Sequence, residues 1–444
     1  MTPEWLRMSA GDLGRGIERG EIDPVRLTMA HLDALEAHPL TPRVFSRLTP
    51  DRALSEAKAA SNRAKGGCRR GPLDGIPVSW KDLFDTSAIA TEAGSRLLAG
   101  RVPERDAAVL RNAAAAGIVC LGKTHMSEFA FSGLGYNPVT ATPPSVNDAE
   151  AVAGGSSSGA AASVAFGLSV CGIGSDTGGS VRIPSAWNDL VGLKTTVGRL
   201  PLEGVVPLCP GFDTVGPLCR SVEDAALMLA ALEGTVVPDL AGASLRGVRL
   251  MALETVAMSD LRPEPRTGFD LAVALLRDAG ATVRPVEVPA VAEAMELASI
   301  LFTSEAYGIW KDDIEAAPER MFSEILARFR IGREHSAADY VAGWRSLHRI
   351  RREWREATVG FDAVILPTVP NLPPKVARLA VDGAYFAAEN LLALRNTRIG
   401  NLMGTPALTL PTGVRSTGLM LMVPPMQEER LLRIGAAAEA ALAK

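Results

Sequence analysis

Residues 151–167 read AVAGGSSSGAAASVAFG, and residues 168–187 continue as LSVCGIGSDTGGSVRIPSAW. The first half places three serines, Ser156, Ser157 and Ser158, between glycines and a run of small residues that reads as a helix. The second half is an apolar run, LSVCGIGSD, that reads as a buried strand and breaks at Gly178-Gly179-Ser180. A helix made of such small side chains can lie close to its neighbour. A strand that follows it within a few residues argues for helices packed on a sheet.

The same alternation extends outward in both directions. PVRLTMAHLDALEAH (24–38) has helical spacing, with Pro24 suited to a first turn. IPVSWKDLF (76–84) reads as a strand entering a turn, ERDAAVLRNAAAAG (104–117) as a helix stopped by Gly117, and IVCLGK (118–123) as a second buried strand. Further strands are expected at 248–253, 282–288, 362–368, 407–411 and 418–424. Helices fall between most of them, among them SVEDAALMLAALEG, with Ser221 as cap and Asp224 three residues on. The expected fold is α/β, a large central β-sheet covered by helices on both faces. A single domain is expected over residues 1–444, and the Gly/Pro-marked stretch 234–247 is the candidate boundary.

Bulk composition narrows the function classes. With 47% hydrophobic and 22% charged residues, the 444-residue chain can bury a large core. A net charge of −4 gives no general attraction to nucleic acid. The five cysteines, Cys68, Cys120, Cys171, Cys209 and Cys219, are scattered and form no C-x-x-C pair, so free thiols in a reducing compartment are expected. The first residues lack the basic and apolar regions of a signal peptide, and no window reaches 18 apolar residues. A cytoplasmic protein without a membrane span is the expectation.

Two pattern matches fail on their context. Gly117 to Thr124 fits a phosphate-binding loop, yet its middle residues Ile, Val, Cys and Leu are those of a buried strand. Gly155 to Gly159 fits G-x-S-x-G and would make Ser157 a nucleophile, which needs a histidine. Of the five histidines only His335 and His348 follow it, in or beside an Arg-rich helical stretch. The AVAGG run ahead of it is also a poor strand. A serine nucleophile without histidine calls for another base, and a desolvated lysine is the usual substitute. Lys81 ends GPLDGIPVSWK, sharing one strand face with Ser79 while Val78 and Trp80 take the other. Burial there would lower its affinity for a proton. After the strand, Gly178 and Gly179 let the amides of Thr177, Gly178, Gly179 and Ser180 converge on one point, the form of an oxyanion hole.

Together these pieces resemble the amidase signature family, whose hallmark is a Gly- and Ser-rich block running to a G-G-S-x-R-x-P segment. Gly154 to Gly159 and Asp176 to Pro184 match it, as do GIPVSWKD and flanking stretches such as GKTHMSEFAFSG and DLVGLKTTVGRLP. The resemblance covers about residues 8–440. It implies a mixed central β-sheet covered by helices on both faces and carrying a Ser-Ser-Lys triad: Ser180 as nucleophile, Ser156 as proton relay with a cis peptide before it, and Lys81 as base. Thr177, Gly178 and Gly179 would form the oxyanion hole, with Ser175, Asp176 and Arg182 bracing the loop. It implies acyl transfer to water from a small-molecule amide, with neither metal nor organic cofactor required. A homodimer is compatible with it.

Within that resemblance one branch supplies glutamine-derived ammonia for tRNA-dependent amidation, as part of a larger complex. Arg328, four residues before Gly332, matches that branch's carboxylate-gripping arginine and is the expected substrate-binding residue. The branch's acid for the amino group would fall on Leu394, ahead of Asn401-Leu-Met-Gly404, and GLMLMVPPM replaces its Pro-x-Gly-x-Gln run. These departures favour a free-standing amidase. The basic run RSLHRIRREWRE (345–356) is expected to be the solvent face of a helix whose stripe is Tyr340, Trp344, Leu347, Ile350 and Trp354. The third reading, an inactive scaffold within a complex, is opposed by the intact Lys81, Ser156 and Ser180.

Overall fold

Pro77-Val-Ser-Trp-Lys81 and Cys171-Gly-Ile-Gly-Ser-Asp176 are buried at every residue, as strands covered on both faces must be. The computed structural model describes residues 3–443 and places both in the middle of a mixed sheet. In chain order the strands are β1 (Phe45–Leu48), β2 (Pro77–Lys81), β3 (Val119–Thr124), β4 (Pro144–Ser145), β5 (Asp148–Val152), β6 (Cys171–Asp176) and β7 (Val191–Lys194). They continue with β8 (Thr214–Cys219), β9 (Arg249–Leu253), β10 (Thr282–Val286), β11 (Ala363–Pro367), β12 (Ala407–Pro411) and β13 (Gly418–Met422). Eleven of these form one sheet in the order β1-β3-β2-β6-β8-β7-β12-β13-β11-β9-β10, and β4 and β5 make a separate hairpin.

Pairing is parallel on the two flanks, apart from the antiparallel edge strand β1, and antiparallel through the centre. β3, β2 and β6 run parallel, as do β11, β9 and β10. Each flank includes a β-α-β connection: the helix Ala108–Ala115 lies between β2 and β3, and the helix Pro263–Asp278 between β9 and β10. The stretch 234–247 is an irregular connection, and the strands before and after it belong to the same sheet.

The small-residue helix is Ser158–Ala165, buried at every position. A Cβ on Gly172 would come 2.8 Å from the carbonyl oxygen of Ala160, so the glycines in this strand allow the helix to approach its backbone. Ser79 Oγ and Ser163 Oγ meet at 2.8 Å, which fixes the polar face of β2 against this helix. Trp80 turns the other way, edge-on to Phe84.

Several local expectations need revision. The AVAGG run does enter a strand, since Asp148–Val152 pairs with Pro144–Ser145 outside the main sheet. Ser221 caps its helix by accepting from the Asp224 amide at 3.1 Å, but the Asp224 carboxylate turns to the Gly11 amide at 3.0 Å and closes no reciprocal box. β1, β7 and β8 lie outside the expected strands: the first two have four residues each, and β8 contains Pro217. That proline lies opposite Ile173 of β6 and outside the two residues, Leu218 and Cys219, at which β7 pairs β8. The basic run lies on the helix Ala337–Thr358, with Leu347, Ile350 and Trp354 buried as expected. None of the five cysteines is in a disulfide. Among the described residues, no helix is long and apolar enough to cross a membrane.

Candidate active site

β2 and β6 are parallel neighbours, so their C-terminal ends, bearing Lys81 and Ser175-Asp176, emerge at the same edge of the sheet. The turn before the helix Ser158–Ala165 brings Ser156 to the same place. Lys81 Nζ lies 2.7 Å from Ser156 Oγ and 2.8 Å from Ser175 Oγ, and all three residues are buried. Burial, only partly offset by the charges of Asp176 and Asp213, brings the Lys81 pKa down to about 7.

Two other buried lysines set Lys81 apart. Lys123 donates to the Phe84 carbonyl and Thr91 Oγ1 and lies 3.4 Å from the Asp82 carboxylate. Its contacts also close the phosphate-loop reading, because Val119–Thr124 is strand β3. Lys194 donates to the carbonyls of Thr195 and Thr405, which can only accept. Lys81 alone of the three faces only hydroxyls, each able to donate a proton to a neutral amine as well as accept one.

Ser156 follows a cis Gly155–Ser156 peptide. Ser157 sends its hydroxyl to the Ser175 carbonyl at 3.3 Å and its amide to the Ser180 carbonyl at 3.2 Å, and neither contact involves a histidine. Ser158 Oγ donates to the His125 carbonyl. Of the three serines, Ser156 is the one that touches a titratable side chain.

Asp176 organises the turn that follows β6. Its carboxylate accepts from the amides of Gly179 (2.9 Å) and Val181 (3.1 Å), from Arg182 Nε (3.0 Å) and Nη2 (2.8 Å), and from Asn401 Nδ2 (2.9 Å). Burial pushes its pKa up, but the charge and hydrogen bonds of Arg182, with Lys194 and Asn401 behind them, hold it at about 2. Arg182 in turn donates to the Thr397 carbonyl and Asn401 Oδ1, each at 2.6 Å. The structure thus brings Asp176 and Arg182, both expected at this loop, into contact with it and with each other. Ser175 differs, since its hydroxyl touches Lys81 directly.

The amides after β6 do not all point to one place. The Gly179 amide is occupied by Asp176, which removes it from the expected oxyanion hole. The amides of Thr177, Gly178 and Ser180 meet no acceptor among the described residues. Thr177 Oγ1 bonds the Asp213 carboxylate, and Thr397 Oγ1 donates to the Gly178 carbonyl at 2.7 Å. Gly179 has φ +140°, and a Cβ there would collide with Thr397.

Ser180 borders a cavity of about 20 Å3 shared with Thr177, Gly178, Phe131, Arg328 and Arg398, room for about one water. Ser180 Oγ makes no hydrogen bond to Ser156 in this structure; a nucleophile's contact can tighten only when substrate is bound. A cavity of about 540 Å3 beside Arg351, Met403 and Pro424 contains none of Lys81, Ser156 or Ser180. Chemistry favours the small one.

Arg328 enters from the helix Ser323–Arg330, with its guanidinium carbon 4.6 Å from the centre of the Phe131 ring. Arg398, on the helix Gly383–Met403, is not among the residues the sequence singles out. Its signal lies in the spacing 394, 397, 398 and 401, one face of that helix, where Leu394 lines the cavity, Thr397 holds Gly178 and Asn401 holds Asp176. Burial lowers the pKa of both arginines, and at Arg328 the charge of Arg398 adds to the effect. Asp213 escapes sequence reasoning as well, because only folding brings it to Thr177. Among the described residues no three His, Cys, Asp or Glu side chains cluster as metal ligands.

The chain is similar to several known proteins. The model of a family described as Amidase matches residues 26–432. A 2-amino-5-chloromuconic acid deaminase from Comamonas testosteroni is 37% identical over 417 residues, spanning 90% of this chain and 89% of its own. A glutamyl-tRNA(Gln) amidotransferase subunit from Acidothermus cellulolyticus is 32% identical, over 98% of this chain and 94% of its own. The crystal structure of the native peptide amidase from Stenotrophomonas maltophilia superposes with a TM-score of 0.82 at 29% identity, covering 98% of this chain and 97% of that one.

Proposed function

The chain belongs to the Amidase family, and from that premise we propose that it hydrolyses the carboxamide bond of a small-molecule amide through an acyl-enzyme on Ser180. It is an amidohydrolase acting on carbon–nitrogen bonds; the acyl-enzyme and its residues are our reading. The observation that carries it is the buried Lys81 amine in contact with two hydroxyls, 2.7 Å from Ser156.

In this reading neutral Lys81 takes a proton from Ser156, which takes one from Ser180 as its Oγ bonds to the amide carbon. The carbonyl oxygen gains negative charge, and the free amides of Thr177, Gly178 and Ser180 stabilise it. Ser156 returns a proton to the nitrogen, the C–N bond breaks and the amine leaves. Water then attacks the ester by the reverse relay, releasing the acid and regenerating Ser180. Asp176, Arg182 and Gly179 act by holding the turn in place.

The second reading is an ammonia-supplying component for tRNA-dependent amidation, for which the 32% identical amidotransferase relative speaks. Leu394 opposes it, since it lines the cavity where an acid would be needed to hold glutamine's amino group. Ammonia release from a panel of primary amides (aliphatic, aryl-acetic, malonamic, ureido, glutamine and asparagine) tests both. Release from a non-glutamine amide, lost in Ser180→Ala, supports the free-standing amidase. Release from glutamine alone supports the second reading, and equal activity in Ser180→Ala overturns the acyl-enzyme.

A further inference from the structure

Arg328 and Arg398 reach the Ser180 cavity from different helices, and neither meets a carboxylate among the described residues. Their near neighbours do. Arg330, on the same helix as Arg328, pairs with Glu315 at 2.7 Å, and Arg395, one turn before Arg398, faces Asp260 at 3.8 Å. Arg328 Nε is shut off from solvent and has no hydrogen-bond partner among the described residues. What the two guanidinium groups do meet is aromatic: Phe131 under Arg328 at 4.6 Å, and Phe302 at 5.8 Å from Arg398.

Two like charges held together in a small cavity without a counter-ion cost free energy until an anion enters. The rest of the wall, including Leu208, Leu394 and Phe302, is apolar or carries hydroxyls, and no acid lines it. An ammonium group entering here would meet two positive charges and no negative one.

We propose that Arg398 is a substrate-binding residue which, paired with Arg328, forms a carboxylate seat beside Ser180, and that the substrate is a short amide bearing a carboxylate and no ammonium group. This rests on the assignment of Ser180 above. The monoamide of a short dicarboxylic acid has that chemistry: with the lining side chains moved apart to widen the cavity of about 20 Å3, one end presents the carbonyl to Ser180 and the other sets its carboxylate against the guanidinium groups, which can bind it bidentately. Glutamine and asparagine carry the carboxylate but also an ammonium that this wall repels.

The experiment compares malonamate, succinamate and glutaramate with butyramide, asparagine and glutamine, in the wild type, Arg398→Met and Arg398→Lys. In the wild type, kcat/KM for the best monoamide acid is expected at least about tenfold above the neutral and amino-acid amides. Arg398→Met is expected to raise its KM about ten- to hundredfold, the range for a charge-assisted hydrogen bond, with kcat little changed and a much smaller loss on the neutral amide. Arg398→Lys is expected to restore part of the loss. A preference for the acid that survives Arg398→Met, or a loss shared equally by acid and neutral amides, overturns the seat and leaves the Ser180 assignment standing. A wild type that cleaves no amide overturns the assignment itself. If Arg398→Met does not fold, inhibition of the wild type decides: butyrate is expected to compete about tenfold better than its uncharged counterpart 1-butanol, and equal inhibition overturns the seat.

Discussion

Lys81 Nζ sits 2.7 Å from Ser156 Oγ, although 75 residues of chain separate the two. Lys81 is the last residue of β2, and Ser156 precedes the helix that packs on β2 and β6. The contact is enclosed on every side, so its proton affinity is set by protein and not by solvent. Its donors and acceptors are two hydroxyls and one amine. Such a group can exchange protons only through the hydroxyls of Ser156 and Ser175.

Lys81→Met is expected to reduce kcat by about 10²–10⁴-fold, the range for a general base, with little change in KM. Ser156→Ala should fall in the same range and Ser175→Ala well below it, since Ser175 holds Lys81 in position without carrying the proton to Ser180. Steady-state kinetics on whichever amide the panel identifies will check the order. A fully active Ser156→Ala would remove the relay.

The pH profile should follow Lys81. With its pKa brought down to about 7, the amine is mostly protonated and idle at pH 5 and mostly neutral at pH 9. The value of kcat/KM should rise about tenfold per pH unit below 7 and level off above it. A profile that is flat from pH 5 to 8 would rule out a titrating base of this kind.

The buried Asp176–Arg182 pair predicts a stability effect separate from chemistry. Asp176→Asn leaves Arg182 charged and unpaired at no solvent exposure, which should cost about 3–5 kcal/mol in urea denaturation. Because the Asp176 pKa is lowered from 3.8 to about 2, its contribution is complete above pH 3.8 and is lost as pH falls through about 2. The wild-type advantage over Asp176→Asn should therefore shrink over that window, and an advantage that stays constant from pH 5 to pH 2 would refute the pairing.

Thiol accessibility offers an independent check on the core. Cys68 is exposed while Cys120, Cys171, Cys209 and Cys219 are buried. A thiol reagent should label one group rapidly in the native protein and all five after denaturation. Rapid labelling of two or more native thiols would mean that the sheet region is looser than described.

Much of this site is readable because its chemistry is local. The apolar runs of β2, β3 and β6, the Gly-Gly-Ser break after β6 and the polar face shared by Ser79 and Lys81 all depend on neighbours within a few residues. The strands that escape notice lack such signals: β1 and β7 have four residues each, and β8 is interrupted by Pro217. The Gly179 amide turns away from its expected role for a related reason. Nothing in GSDTGGS says whether that N–H faces substrate or Asp176, and only the closed turn decides it.

By itself, then, the sequence determined the alternation of strand and helix, the sheet with helices on both faces, and the residue types available at each strand end, because periodicity and glycine placement act over a few bonds. The tertiary structure alone decided which of those ends meet. Sheet order is not chain order, so β2 next to β6 brings Lys81 to Ser175, and the helix Gly383–Met403 delivers Thr397, Arg398 and Asn401 to a turn more than 200 residues earlier. Contacts over such separations are selected by how the whole core packs, and no short stretch of the chain encodes them.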